Sequence, residues 1–420
     1  MERRQRPRVV IVGAGFGGLE CARRLRNTPV DVLLLDRNNY HLFTPLLYQV
    51  ASSLLNPSDI AQPIRAIIRG APNVRFRQAT ATGIDFAAQQ VLLEGEEALA
   101  YDYVVVAVGS TTNYFGMASL EAGALGLKDL PEALELRNHI IRRLEEASRT
   151  DDPAERARLL SFAVIGGGPT GVEYAGALSE LVRLVIPGEY PELRDDDVRI
   201  LLVEALPALL TTFPEDLGGH ARDELERRGI EVVTGVRVVG TDGQTLELSD
   251  GSNVPAGTVI WAAGVKPEAL TAAINVSRSR SGRIEVDGAL RLVGLRNAFA
   301  IGDAASVGHG QGEVPMLSAP AIQEARAVAA NILRDMRGQR LRRFRYRDRG
   351  SMATIGRNAA VASIGPLRLR GFVGWIAWLA VHLYFLIGFR NRLLVLLGWG
   401  WNYLRFDRPV RIIARARTRP

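Results

Sequence analysis

The sequence is short of cysteine, of clustered metal ligands and of repeats, and each shortage removes a class of protein. A single cysteine, Cys21, stands in 420 residues. It cannot close an intrachain disulfide, and no cysteine pair can pass electrons. Disulfide reductases are excluded on that ground, and sulfide:quinone reductases are disfavoured. Cys21 falls early in a predicted helix, where a small thiol is an ordinary core residue. The five histidines (His41, His139, His220, His309 and His382) lie far apart and show no ligand spacing, so no metal site is expected. No catalytic triad, low-complexity tract or short repeat is visible. No apolar signal region precedes the first strand after MERRQRPR, so the globular part is expected to stay in the cytoplasm.

What the chain does hold is a globular balance of 47% hydrophobic and 23% charged residues, with length for two or three domains. The net charge is +7, nearly all of the positive charge being Arg. The basic stretches Arg337–Arg349 and Arg405–Arg419 are late in the chain. No nucleic-acid motif accompanies them, and the apolar segment beside them points to anionic lipid.

Val9–Val12 is a short apolar run, followed by a Gly-rich turn, a helix over Leu19–Arg26 and a second buried strand, Val30–Leu35. The pattern predicts a βαβ unit. Tyr103–Val108 is a further buried strand. Phe162–Ile165 opens a second such unit, with a helix from about Gly171 to Val185, a Pro- and Asp-rich loop over Pro187–Asp197, and the strand Ile200–Val203. Strands are also expected at Val259–Ala262 and Ala298–Ile301. The duplication predicts two nucleotide-binding domains.

The first turn reads Gly13-Ala14-Gly15-Phe16-Gly17-Gly18. Its glycines allow a tight turn, close backbone approach to a pyrophosphate, and close helix–strand packing. The helix N-terminus offers free N–H groups and partial positive charge to phosphates. Asp36 ends the next strand, where a carboxylate accepts from ribose hydroxyls. The alternative is a Gly-rich turn with a surface Asp. The second turn, Gly166-Gly167-Gly168-Pro169-Thr170-Gly171, is followed by Glu204 at the end of its strand. An acid there repels a 2′-phosphate, and no Arg follows it closely, so NADH is preferred over NADPH. Two such sites have a simple joint use: one holds FAD, the other admits the nicotinamide cofactor, and a hydride passes between them. Glu173 is expected in the first turn of the second helix. It either complements the helix dipole or lies near the nicotinamide or a quinone entrance.

With these pieces in order, the chain resembles the type II NADH dehydrogenases over essentially its whole length. The matching segments include VVIVGAGFGGLE, DRNNYHLFTPLLYQVA, FAVIGGGPTGVEYAG, FAIGDAAS, AIQEA, GSMATIGRNAAV and the tail from GFVGWIAWLAVHLYFLIGF onward. The resemblance implies a flavin site that adds Arg37, Thr44, Pro45, Ala81, Ala107, Gly109, Asp303, Ala319 and Gln323 to the first turn and Asp36. The loop His41–Gln49 would line the flavin. Asp303 would bond the ribityl or phosphate region, the alternative being a helix N-cap. It implies an NADH site of Gly166, Gly168, Pro169, Thr170, Gly171, Glu173, Glu204 and Gly264, and a quinone site of Gln49, Ala319, Gln323 and Arg349. Glu173 and Gln323 are the implied catalytic residues. For Gln323 the residues by themselves favour a solvated helix position. Two positions depart from the family pattern: Ala319 stands where a first quinone-site Gln is usual, and Arg349 where many members have Lys.

Gly371–Phe389 is apolar apart from His382, and hydropathy alone would make it a transmembrane helix. Its flanks, Arg368 and Arg370 before it and Arg390, Arg392 and six further Arg from Arg405 onward after it, give no orientation. Trp375, Trp378, Tyr384, Trp399 and Trp401 suit an interface. A monotopic anchor on the cytoplasmic face of the inner membrane is therefore expected, with a homodimer also able to use part of that surface.

The expected fold is α/β: a glutathione reductase type flavoprotein with two Rossmann-like domains and a C-terminal membrane-anchoring helical region. FAD-domain parts are expected at 1–115 and 282–335, the NADH domain at 116–281, and the membrane region at 336–420. The expected activity is NADH:quinone oxidoreduction through FAD, without proton pumping, on menaquinone or ubiquinone. A soluble NADH:ferredoxin-type reductase or a flavin-based redox sensor are the alternatives. The first would share both turns but has no use for the Trp-rich tail.

Overall fold

The structure is a computed structural model, and it describes residues 6–310, 312–405 and 411–413. The expected Arg408, Arg415, Arg417 and Arg419 lie outside the described residues.

The chain opens with strand β1 (Arg8–Val12), helix α1 (Phe16–Arg24) and strand β2 (Asp31–Asp36), then a short helix α2 (Leu47–Ala51). Strands β3 (Val74–Gln78), β4 (Tyr103–Val106) and β5 (Ala124–Gly126) precede helix α3 (Leu130–Ala147). The second Gly-rich turn joins β6 (Ser161–Ile165) to α4 (Pro169–Glu189), and β7 (Arg199–Glu204), β8 (Ile230–Thr234) and β9 (Thr258–Trp261) follow. Strand β10 (Ala298–Ala300) leads to α5 (Ser318–Asp335). The chain then forms a hairpin, β11 (Ser351–Gly356) and β12 (Ala359–Ile364), and helices α6 (Gly371–Phe385) and α7 (Phe389–Arg405).

These elements fall into two compact units. The first is Met1–Leu42, Ala61–Thr111 and Val265–Arg349; the second is Phe43–Ile60, Thr112–Gly264 and Gly350–Pro420. The first has a parallel sheet in the order β10-β4-β1-β2-β3. The second has a parallel sheet in the order β5-β9-β6-β7-β8. Each central strand is apolar and buried over nearly its whole length, as parallel strands covered on both faces require. In both sheets the strand that carries the Gly-rich turn is central, with the acid-bearing strand beside it, which puts the turn at the carboxyl edge where such sheets take ligands.

The boundaries differ from those expected. The tail is not a region apart: β11, β12, α6 and α7 belong to the second unit, as does Phe43–Ile60. Residues 336–349 and 265–281 belong to the first. The physical reason is close packing. A Cβ placed on Gly176 of α4 would lie 2.0 Å from the Ile355 carbonyl oxygen of β11, so helix and hairpin meet without a gap. α4 is longer at both ends than expected and carries Pro187 in its last turn, where the missing N–H removes one i→i−4 hydrogen bond close to the helix end.

The apolar run Gly371–Phe389 is broken. α6 ends at Phe385 and α7 begins at Phe389. Fifteen residues rise about 22 Å, short of a hydrocarbon core of about 30 Å. Among the described residues no helix is long and apolar enough to cross a membrane.

Candidate functional site

The two Gly-rich turns share one hydrogen-bond pattern. Gly13 and Gly166 stand at φ +105° and +113°, and a Cβ on either would collide with the carbonyl oxygen of Ala107 (2.2 Å) or of Ala262 (2.7 Å). Asp36 closes the first turn: Oδ2 accepts the Ala14 N–H at 2.7 Å and Oδ1 the Asn38 N–H at 2.7 Å. Glu204 closes the second: Oε2 accepts the Gly167 N–H at 2.5 Å and Oε1 the Leu206 N–H at 2.7 Å. Burial raises the Asp36 carboxyl, and the bonds from Ala14 and Asn38 oppose that shift. Each carboxylate thus braces its own turn and keeps further lone pairs for a ribose hydroxyl.

The turns leave two helix N-termini open. Gly15 and Gly168 are the N-cap residues of α1 and α4, and neither helix has a side-chain cap. A Cβ on either glycine would meet nothing within 4 Å. Uncapped N–H groups facing open space at a helix N-terminus are what a pyrophosphate needs.

Around the first turn, His41 bonds through Nδ1 to the Ala14 carbonyl at 3.0 Å and meets the Phe16 ring edge-on at 5.1 Å. Burial holds its imidazole down to about 4, so the ring is neutral. Arg37 forms a two-pronged pair with Glu268, at 2.7 and 3.3 Å. Ala81, Ala107, Gly109 and Asp303 lie in the same unit. Asp303 is not an N-cap: it sits inside a single 3-10 turn, Gly302–Ala304, and accepts a hydrogen bond from the Ser110 hydroxyl.

Gln323 is tied to the segment that follows its helix. Its amide is half-buried and clamps the main chain of Arg347, donating to the carbonyl at 3.0 Å and accepting the N–H at 3.1 Å. Ala319 lies in the first turn of α5, and Arg349 is exposed at the end of the first unit. The remaining expected residues, Thr44, Pro45, Gln49, Glu173, the second turn, Glu204 and Gly264, belong to the second unit.

Glu173 is not in the first turn of α4. It is the fifth helical residue, too far along for the dipole role, and it is buried. Its carboxyl accepts the Thr354 N–H of β11 at 3.3 Å. Burial pushes it up to about 8, against the pull of the Thr354 N–H and of the nearby Trp378 indole.

Glu173 opens onto a cavity of about 410 Å³ within the second unit. Gln49, Thr354, Trp378, Leu379 and Trp399 line it beside Glu173, and Glu180, Arg228 and Arg357 give it a charged end. Gln49 is fixed there: Nε2 donates to the Tyr48 hydroxyl at 2.8 Å and Oε1 accepts the Trp399 indole N–H at 2.9 Å. Trp375, Trp378 and Trp399 line this cavity, whereas Tyr384 and Trp401 are exposed.

Two residues escaped the sequence reading. Trp378 was grouped with the tail aromatics. Glu324 was passed over, yet it is fully buried in α5, where Oε2 accepts the Gly302 N–H at 2.5 Å and burial lifts its carboxyl to about 7. Its spacing of three from Ala321 and four from Val328 puts it on the apolar stripe of α5, a signal that was available.

Comparison with known proteins agrees with this architecture. The family model for pyridine nucleotide-disulphide oxidoreductases matches residues 7–325, and that for the NDH2 C-terminal domain matches residues 349–406. The chain is 39% identical over 414 residues to the type II NADH:quinone oxidoreductase Ndh of Mycobacterium tuberculosis, covering 95% of this chain and 89% of the relative. It is 31% identical to the demethylphylloquinone reductase NdbB of Synechocystis, covering 94% and 96%. In fold it is similar to NDH2 of Plasmodium falciparum, solved in complex with NADH, at a TM-score of 0.90 with 20% identity over 98% of this chain and 100% of the other. The chain belongs to the type II NADH:quinone oxidoreductases, within the pyridine nucleotide-disulphide oxidoreductase family.

Proposed function

We propose that this enzyme holds FAD on the turn Gly13–Gly18, admits NADH at the turn Gly166–Gly171, and reduces a membrane quinone in the cavity beside Glu173. The observation that carries the quinone part is a buried acid opening on a mostly apolar cavity whose walls include the tail helices. Bound FAD supplies hydride acceptance from NADH and two-electron transfer to the acceptor.

The chain's own residues do the rest. The N-termini of α1 and α4 bind pyrophosphates. Asp36 and Glu204 orient the riboses, and Glu204 disfavours a 2′-phosphate. Asp303 orients the ribityl region, with Glu324 fixing the Gly302 N–H before it. Glu173 keeps its proton at neutral pH and is the proton donor to a quinone oxygen. Gln49, fixed by Tyr48 and Trp399, orients the quinone head. Gln323 holds Arg347 in place and so shapes the segment that ends at Arg349. No proton pumping is expected.

The exposed apolar faces of α6 and α7, with Arg390, Arg392 and Arg405 beside them, suit the surface of an anionic leaflet. We assign the protein to the cytoplasmic face of the inner membrane, as a monotopic enzyme, with a homodimer as its working state.

Anaerobic titration tests the reading. NADH should bleach the flavin of the purified protein, and a soluble quinone should restore the absorbance. Bleaching without return across several quinones would overturn the quinone assignment.

A further inference from the structure

Trp378 is 1% exposed, and its indole Nε1–H makes no hydrogen bond of good geometry, exerting only the smaller of two hydrogen-bond pulls on the Glu173 carboxyl. Buried donors are nearly always satisfied, because an orphan costs about 1–3 kcal/mol. This one is not an accident of a loose side chain. The indole stacks on His382 at 4.0 Å, and Tyr48 and Trp399 flank it at 6.3 and 5.9 Å. His382 is in turn tied through Nδ1 to the Trp378 carbonyl at 2.7 Å. The indole is thus locked in place, lines the cavity, and lies close enough to Glu173 to act on its carboxyl. Two further polar atoms without partners, Arg228 Nε and Asn402 Oδ1, belong to walls of the same cavity.

We infer that the Trp378 indole N–H is a catalytic hydrogen-bond donor to the quinone carbonyl, forming with Glu173 a two-donor seat for the oxygen that gains negative charge on reduction. The inference rests on the cavity being the quinone site. The overall balance is NADH + H⁺ + quinone giving NAD⁺ + quinol: the electron pair and one proton come from NADH, the second proton from solvent. Glu173 hands its proton to the seated oxygen, the O–H bond forms as the carboxyl O–H breaks, and the carboxylate regains a proton from water. Trp378 transfers nothing. It is a fixed dipole aimed where charge develops, and such donors act more strongly on the transition state than on the ground state.

The test uses the full-length holoenzyme. Trp378→Phe keeps the stacked ring and removes the N–H. Reoxidation of the reduced flavin by a soluble quinone should slow by roughly a hundredfold, with the quinone KM changed much less. Bleaching by NADH in the same sample serves as the internal reference. Unchanged quinone kcat would overturn the inference. Leu379→Trp, which fills the cavity, separates the two levels. If it leaves quinone reduction intact, the cavity reading fails. If it blocks reduction while Trp378→Phe does not, only the role of Trp378 fails. Should Trp378→Phe not fold, ultraviolet resonance Raman of the unaltered enzyme decides: the indole N–H marker must shift when quinone is added, and its constancy would overturn the proposal.

Discussion

The Gln49 side-chain carbonyl accepts the indole N–H of Trp399 at 2.9 Å, tying a short helix near the start of the chain to the last helix described. Gln49 is 3% exposed, so losing this donor strands a buried oxygen. Trp399→Phe should lower stability by about 1–3 kcal/mol in a denaturant unfolding series. It should also raise the quinone KM, since the freed amide no longer has a single orientation. An unchanged KM would show that Gln49 does not orient the quinone.

Glu173 links pH to both stability and rate. Its carboxyl is raised to about 8 in the native state, so between its ordinary value of 4.5 and 8 the native chain keeps a proton that the unfolded chain has lost. Native stability must therefore fall as pH rises through that window, and level off above it. Glu173→Gln should flatten this slope in thermal melts taken from pH 5 to pH 9. Quinone reduction should decline above pH 8 in the unaltered enzyme, and be low at every pH in the variant. A variant with full quinone turnover would remove Glu173 from proton delivery.

Two of the four glycines of the first turn, Gly13 and Gly15, should separate folding from cofactor binding. Gly13→Ala drives a methyl to 2.2 Å from the Ala107 carbonyl oxygen at a positive φ, so the variant should fail to give folded protein. Gly15 stands at φ −65° with open space before it. Gly15→Ala should fold normally by circular dichroism and emerge from gel filtration without FAD, because the methyl occupies the path of the pyrophosphate. A flavin-replete Gly15→Ala protein would contradict the assignment.

Much of this was legible in the sequence, and for a clear reason. The turns Gly13–Gly18 and Gly166–Gly171 depend on local spacing, and Asp36 and Glu204 each end the strand next to their turn, so short-range pattern was enough. Glu173 falls outside the expected first turn because the helix begins two residues earlier, at Pro169 rather than Gly171. The cavity was not legible. It needs Gln49, Glu173, Thr354, Trp378 and Trp399 together, five residues spread over most of the chain, and only tertiary packing joins them. Trp378 illustrates the limit: an aromatic in an apolar run reads as an interface residue until its burial is seen. Gln323 adds a contact that local pattern could not show, two hydrogen bonds to the main chain of Arg347, 24 positions further on.

The tail helices should bind anionic membranes through one face. In α7, Asn391 and Val395 are buried and Trp399 faces the cavity, whereas Leu393, Leu396, Leu397 and Leu404 are exposed. In α6, Phe372, Val373 and Ile376 are exposed while Trp378 is buried. The outward residues make no use of water, and each aliphatic side chain that enters an acyl boundary gains about 1.5–3 kcal/mol. Leu396→Asp with Leu397→Asp should therefore weaken co-sedimentation with anionic vesicles by more than about tenfold. The exposed Arg390, Arg392 and Arg405 add a screened attraction, so raised salt should weaken binding of the unaltered enzyme in part. Binding abolished by salt alone would make the attachment electrostatic and leave the apolar face unexplained. Binding that survives both the salt and the double substitution would mean that another surface carries the anchor.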